Sequence, residues 1–369
     1  MGRIGYALFA AAALAAAPGA LVAQDSSEAG PPSAPGHWSL DIPVRGYGLS
    51  FGNSARFTGI RFNLEDDGLQ RLNGLNLTFW RPGKHVTGQV NGLAIGLAGP
   101  AAGELNGVSV GLLGVIAERR ARWVTVGGLG IVSQGSLDGL AVGGLGTVSE
   151  GPMRGVSLAG LGLVAQGGMS GIALAGLGAV AQGDMTGLFF AGLASVAQGS
   201  LRGISFNGLA TVTQGDVWGA NAAGLAVVSQ GDVTGLTLSG LATVAQGSLR
   251  GLSLSGLALV AQGHVAGIAV AGLAVVAEGE VRGLTAAAYE VRSPAVAGIT
   301  VAGIHLRAGA MSGLSVSAYN QVRGVQAGIS IGLLNYARVL RGVQIGVLNI
   351  ARNNPAPFRV LPLLNAHFD

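Results

Sequence analysis

The sequence predicts an all-β repeat fold, a β-solenoid of short stacked coils, and three observations carry that expectation. Between Gly128 and Ala287 the chain is ten copies of a 16-residue unit without one insertion. A unit that short cannot hold a helix pair, and its glycines, valines and threonines are poor helix formers. The third observation is compositional: 66 of 369 residues are glycine and only 10% are charged, where an ordinary domain has roughly 7% and about 25%.

Numbering each unit from its first glycine, positions 1, 8 and 12 are always Gly, position 2 is always Leu and position 5 always Val. Position 7 is Gln except at Glu150 and Glu278. The first unit therefore offers Leu129, Val132, Gln134, Gly135 and Gly139 as structural positions, and the sixth offers Leu209, Val212, Gln214, Gly215 and Gly219. Positions 10, 13 and 15 are mostly Leu, Val, Ile or Met, while 3, 6, 14 and 16 are mainly small. In a solenoid, identical positions stack at about 4.8 Å. The large apolar residues at 2, 5, 10, 13 and 15 are expected to point inward, with glycines at the corners of a flattened or three-sided coil. The glutamines at position 7 are expected to stack as an amide ladder. Ten coils span about 48 Å at that spacing.

A second architecture is a transmembrane β-barrel with one strand per unit, since 10–11 residues is about a spanning length. The alternating stretches Tyr47, Leu49, Phe51 and Ile60, Phe62, Leu64, and the end at Phe368, suit such a barrel. Against it stand the lack of an aromatic girdle in the array and the equally short loops on both sides.

Outside the perfect array the unit degenerates. Gly59, Gly74, Gly92 and Gly107 continue position 12 upstream, and Gly298 and Gly313 follow downstream. The expected organisation is a signal peptide at 1–23, with Arg3 before an apolar Ile4–Ala17 stretch, and a Pro/Gly-rich linker at 24–36. An N-terminal β cap follows at 37–91, then a repeat array at 92–354 and a C-terminal capping strand at 355–369. At about 14 residues, the apolar stretch is shorter than the roughly 20 that a spanning helix needs. Export by a chain without cysteine fits a bacterial envelope, at the cell surface or outer membrane, with periplasm and medium as further destinations.

Two C-terminal segments, Gly328-Ile-Ser-Ile-Gly-Leu-Leu-Asn-Tyr-Ala337 and Gly342-Val-Gln-Ile-Gly-Val-Leu-Asn-Ile-Ala351, carry a recurring pattern, as does Val90-Asn-Gly-Leu-Ala-Ile-Gly-Leu97. The pattern resembles that of the glycine-rich surface-repeat proteins of bacterial envelopes, with units of the type G-[VL]-Q-[IL]-G-[LV]-x-N-x-A. The resemblance covers about residues 59–352, and the central array departs from it with Ala-Gln-Gly where the family tends to Asn-x-Ala. It implies an exported, surface-associated protein and brings no catalytic residues with it.

Reactive constellations are sparse. Gly107-Val-Ser-Val-Gly111 and Gly328-Ile-Ser-Ile-Gly332 match the nucleophile-elbow spacing, but that motif needs a strand, a strained turn and a helix. The five histidines and the scattered carboxylates do not converge on a metal site, and no cofactor or calcium motif is present. Glu65-Asp66-Asp67 reads as a solvated hairpin tip. The arginines at position 11 (Arg154, Arg202, Arg250, Arg282) read as a dilute positive stripe. Trp38, Trp80 and Trp123 are candidates for ligand contact. A net charge of +4 without a basic run excludes a nucleic-acid footprint. The expectation is a non-enzymatic structural spacer or adhesion surface. Polysaccharide, lipid headgroups or another envelope protein are the candidate partners. Val212→Asp is expected to unfold a block of coils, and Arg202→Ala to be nearly silent.

Overall fold

The computed structural model of the chain describes residues 38–44, 47–82 and 86–368. The expected signal peptide and linker, and His37 and His85, lie outside them. The described residues contain strands and no helix.

Each perfect unit is one coil of a β-solenoid. Positions 3–6 and 10–16 form strands that pair parallel with the same positions of the coils before and after, without a register shift. Thus Met185–Ala191 lies on Leu201–Asn207, which lies on Val217–Ala223. Likewise Ala194–Ala197 lies on Ala210–Thr213. This parallel, in-register stacking overturns the barrel, which would need successive units to pair antiparallel. Uniform unit length is what permits it, because one added residue would shift every later rung.

The coil has three sides. Residues at position 12 all take positive φ, from 105° at Gly139 to 129° at Gly187. The residues at 11 and 13 both face outward there, so the longer strand turns a corner between 10–11 and 13–16. Only glycine adopts this backbone without strain. A Cβ at Gly203 would also press into the carbonyl oxygen of Gly187 in the coil below. Gly203→Ala is therefore expected to cost about 1–3 kcal/mol, read as a lowered melting temperature. At position 1 the constraint is close approach instead: a side chain at Gly160 would meet the Gly144 carbonyl.

The interior is not the one expected from side-chain size. Positions 4, 6, 10, 14 and 16 are buried in all ten units. Of the apolar set expected inside, only position 10 is there, as Leu137, Met153, Met185 or Val217. Leu129 and Leu209 at position 2 are exposed, and so is Val132 at position 5, while Val212 is half-buried on the outer surface. Positions 13 and 15 also face out. The reason is the narrowness of the bore. A 16-residue coil has room for the large side chain at position 10 and, in some layers, one more from position 4 or 14, such as Ile131, Leu163, Phe189 or Leu259. The rest of the inner set is mostly alanine, serine and threonine. The inward set then follows from alternation around each corner, not from hydrophobicity.

Several of these inner residues are polar and pair with one another, as buried polar groups must. Ser195 donates to Asn207 (2.7 Å), Asn207 to Thr211 (2.7 Å) and Ser205 to Asn221 (2.8 Å). This polar band divides the apolar core into two runs, one ending at Leu201 and the other starting at Val217.

Both ends of the stack finish on an antiparallel strand. At the N-terminal end β1 (Ser39–Val44) pairs antiparallel with β2 (Tyr47–Gly52), which runs parallel to β3 (Arg56–Asp66). β3 in turn runs parallel to β4 (Arg71–Pro82). At the other end Val360–His367 lies antiparallel on the last coil, pairing His367 with Gly342. Each blunts an edge that would otherwise template further pairing.

Candidate functional site

The glutamine ladder does not form. Gln134 and Gln214 are exposed, as is every other residue at position 7. Among the described residues no side-chain hydrogen bond joins successive members of this stack; it is held by backbone bonds such as Gln214 N–H to the Ala197 carbonyl (3.0 Å). Gly135 and Gly215 follow at the corner, and Gly139 and Gly219 at the positive-φ corner. Amide ladders occur elsewhere. Asn106 donates to Asn91 (3.1 Å) and Asn91 to Asn73 (2.9 Å) upstream. Downstream the buried Asn320 donates to Asn335 (2.8 Å), and Asn335 to Asn349 (2.7 Å). Asn335 and Asn349 are the asparagines of the Leu-Leu-Asn and Val-Leu-Asn segments, and Asn320 follows Ala318-Tyr319 one coil earlier.

Position 9 has a role that its scattered Asp, Ser and His residues conceal in the sequence. From Asp184 to His264 each side chain accepts the backbone N–H of the residue 16 further on. Asp184 takes that of Ser200 (2.8 Å), Ser200 that of Asp216 (3.2 Å), and Asp216 that of Asp232 (2.8 Å). Asp232 takes that of Ser248 (2.7 Å), Ser248 that of His264 (3.1 Å), and His264 Nδ1 that of Glu280 (2.9 Å). The signal was legible as chemistry: every residue type in this run carries an acceptor.

The acidic turn Glu65-Asp66-Asp67 is not a solvated tip. Asp66 and Arg61 are fully buried and paired at 3.1 Å. Asp66 also accepts from Asn63 (2.6 Å), Asn76 (2.9 Å), Thr78 (2.8 Å) and the backbone N–H of Ala101 (3.3 Å). Arg61 further donates to Asn76 (3.2 Å), Asn53 (3.3 Å) and the Gly52 carbonyl (3.3 Å). Burial pulls the Arg61 guanidinium below its usual value, and Asp66 opposes that pull. Apart from Asn63 Oδ1, which is buried without a partner, the donors and acceptors of this cluster are spent within the first coils, which it locks together.

The serines of the two elbow-like motifs point inward. Ser109 and Ser330 are buried, and Ser330 accepts from Ser315 at 2.8 Å. Among the described residues no three His, Asp or Glu side chains gather as metal ligands. Searched against protein-family profiles, curated proteins and solved structures, the chain matches none.

What the molecule presents is surface. Every charged residue of the array stands at position 7, 9 or 11. That side carries four arginines and seven carboxylates, 4 − 7 = −3. The arginine stripe is therefore not a positive feature: Arg154 pairs with Asp138 (3.4 Å), Arg250 with Asp232 (2.9 Å) and Arg282 with Glu280 (2.8 Å). The other two sides show only apolar or small residues. Leu at 2, Val at 5 and the Leu, Ile, Val and Phe residues at 13 and 15 form ridges along the axis. Between the ridges at 15 and 2 runs a shallow apolar groove floored by the residues at 16 and 1. Phe190 and Phe206 stack along it, with ring centroids 5.4 Å apart.

Trp38, Trp80 and Trp123 are all exposed. Trp123 also occupies position 12 of its coil, between Gly107 and Gly139, with φ of 80°. A left-handed backbone costs a non-glycine residue of order 1 kcal/mol or more, and the solvent-facing indole recovers little by burial. Trp123→Gly is expected to raise stability by about 1 kcal/mol, seen as a higher melting temperature.

Proposed function

We propose that the chain is an exported, non-enzymatic structural protein of the bacterial envelope, a rigid rod that adheres through its two apolar sides. One observation carries this reading: all charge in the array is confined to positions 7 to 11, one side of the coil and the corner before it, leaving two contiguous sides of exposed aliphatic ridges. Soluble monomers rarely expose continuous apolar patches beyond a few hundred Å². Such ridges over ten coils, about 48 Å long at the strand spacing, exceed what isolated surface leucines account for. Parallel stacking suits this role. Coil-to-coil hydrogen bonds satisfy the backbone, so these sides bring no unpaired N–H or C=O to an apolar partner. Export rests on the N-terminal Arg3 and the apolar stretch after it, and the resemblance of the C-terminal segments to envelope surface repeats agrees with it.

The test is the behaviour of the purified protein without detergent. Wild type is expected to self-associate or to adsorb to phosphatidylcholine vesicles. A Leu209→Gln/Leu225→Gln/Leu241→Gln variant is expected to stay monomeric and to melt within a few degrees of wild type, because these leucines are already exposed. A wild-type protein that remains monomeric and ignores the vesicles overturns the adhesive reading. N-terminal sequencing of protein from the envelope fraction, expected to start at Gln24, tests export.

A further inference from the structure

After the array the surface chemistry changes. Between residue 288 and the end there are seven arginines and two acidic residues, 7 − 2 = +5, against −3 in the array. Five of these arginines, Arg292, Arg307, Arg323, Arg338 and Arg352, follow at intervals of 15, 16, 15 and 14, one for each coil. All five are exposed. Arg292 lies in register with Val276, the position-5 ridge of the array. The His305 N–H bonds to the Tyr289 carbonyl (2.9 Å), which sets Arg307 on Arg292. The Arg352 N–H bonds to the Ala337 carbonyl (3.1 Å), which sets Arg352 on Arg338. Arg307 donates to His305 Nδ1 (3.1 Å), and the His305 ring stacks on Tyr319, four residues before Arg323. A basic edge thus continues the axis where the array had an aliphatic ridge.

Like charges on adjacent rungs repel, and the arginines of the array are spaced so that none meets another. In the array no arginine stands within one coil of another, and three of the four have an acidic partner. In the C-terminal row only Arg307 has one, Glu290 at 3.2 Å, and among the described residues the other four make no ion pair. A row of arginines on rungs about 4.8 Å apart, four of the five unneutralised, is a site for anionic oxygens, and the guanidinium fork suits phosphate.

The surroundings decide which phosphate. The same coils expose Ile304, Leu333 and Val347, and the terminal strand exposes Leu363 and, just beyond it, Phe368. A soluble polyanion has no use for aliphatic side chains beside its arginines. A bilayer surface meets both, headgroups on the arginines and the acyl boundary on the aliphatics.

We propose that the arginine row binds the phosphates of anionic lipids and docks the C-terminal coils on an anionic bilayer. The proposal rests on the adhesive reading above and adds the headgroup that orients the rod. Sedimentation compares phosphatidylcholine vesicles with vesicles of phosphatidylcholine and phosphatidylglycerol. Wild type is expected to prefer the anionic vesicles, and to lose that preference in ~1 M salt, where screening reaches about 3 Å. Arg323→Gln/Arg338→Gln/Arg352→Gln is expected to lower anionic binding about fivefold per arginine, about a hundredfold in all. Its binding to phosphatidylcholine vesicles and its melting temperature should not change. Arg154→Gln/Arg202→Gln/Arg250→Gln, an equal loss of charge in the array, is expected to keep the preference. Equal binding of wild type to both vesicles overturns the proposal, as does an unchanged preference in the C-terminal variant. Soluble long-chain polyphosphate bound through these arginines, with no vesicle preference, would reassign the row to a free polyanion. If phosphatidylcholine vesicles alone are ignored while the anionic preference stands, it is the apolar adhesion that fails and not the arginine row.

Discussion

Leu201→Asp should collapse the middle of the rod, while Val212→Asp, the same charge eleven residues on, should leave it standing. Leu201 is fully buried at position 10, the position that carries a large side chain into the bore in every unit, and packs between Met185 and Val217 in register. Removing a buried leucine costs about 2–5 kcal/mol, and a carboxylate without a partner in that bore adds several more. The total is expected to exceed about 5 kcal/mol, a size reserved for core disruption. Val212 stands half-buried on the outer face. An aspartate there loses strand preference and part of a side-chain burial, about 1–2 kcal/mol. Thermal melts followed by circular dichroism separate the two. Because coils contact only their neighbours, hydrogen exchange in Leu201→Asp should show a contiguous block of coils opened around it. Equal melting temperatures for the two variants would refute the inward assignment of position 10.

Asp66→Ala is the second large effect, expected at about 3–5 kcal/mol. It removes the carboxylate paired with the buried Arg61 and, among the described residues, leaves a guanidinium in the core with three neutral acceptors. Asn63, Asn76 and Thr78 lose their acceptor in the same step. Replacing both charges, Arg61→Met/Asp66→Ala, should recover much of the loss, because no unpaired charge remains buried. A double variant no more stable than Asp66→Ala would show that the neutral hydrogen bonds, not the ion pair, hold the first coils. With Trp123 and Trp218 replaced by phenylalanine, these coils can be followed through Trp38 and Trp80.

The solenoid itself was legible, and the register was legible with it. Ten insertion-free units, with glycine at 1, 8 and 12, admit in-register parallel stacking, and position 12 turned out to need glycine for its positive φ. The facing of the side chains was not legible from size. Assigning Leu129 and Val132 inward followed the usual link between hydrophobicity and burial, which fails when the enclosed volume is too small for the apolar residues the chain carries. The amide ladder was the right idea on the wrong residues: Asn320, Asn335 and Asn349 are inside the coil, and Gln134 and Gln214 are outside. Asp66 looked solvated because a run of three acids usually is. Only the fold brings Arg61 beneath it.

By itself, the sequence determined the repeat, its period, the strand character of each unit and the restriction of charge to three of sixteen positions. All are properties of order along the chain, where each residue's neighbours are its neighbours in sequence. Tertiary structure alone decided which way each position faces, and that choice separates a leucine core from a leucine surface. The inward positions 4, 6, 10, 14 and 16 keep one parity around the coil, and the turns at 2, 8 and 12 decide which even positions drop out of the core. The arginine row shows the same dependence. Five residues spaced 14 to 16 apart mean little as text, and stacking sets one on each coil as a single charged edge.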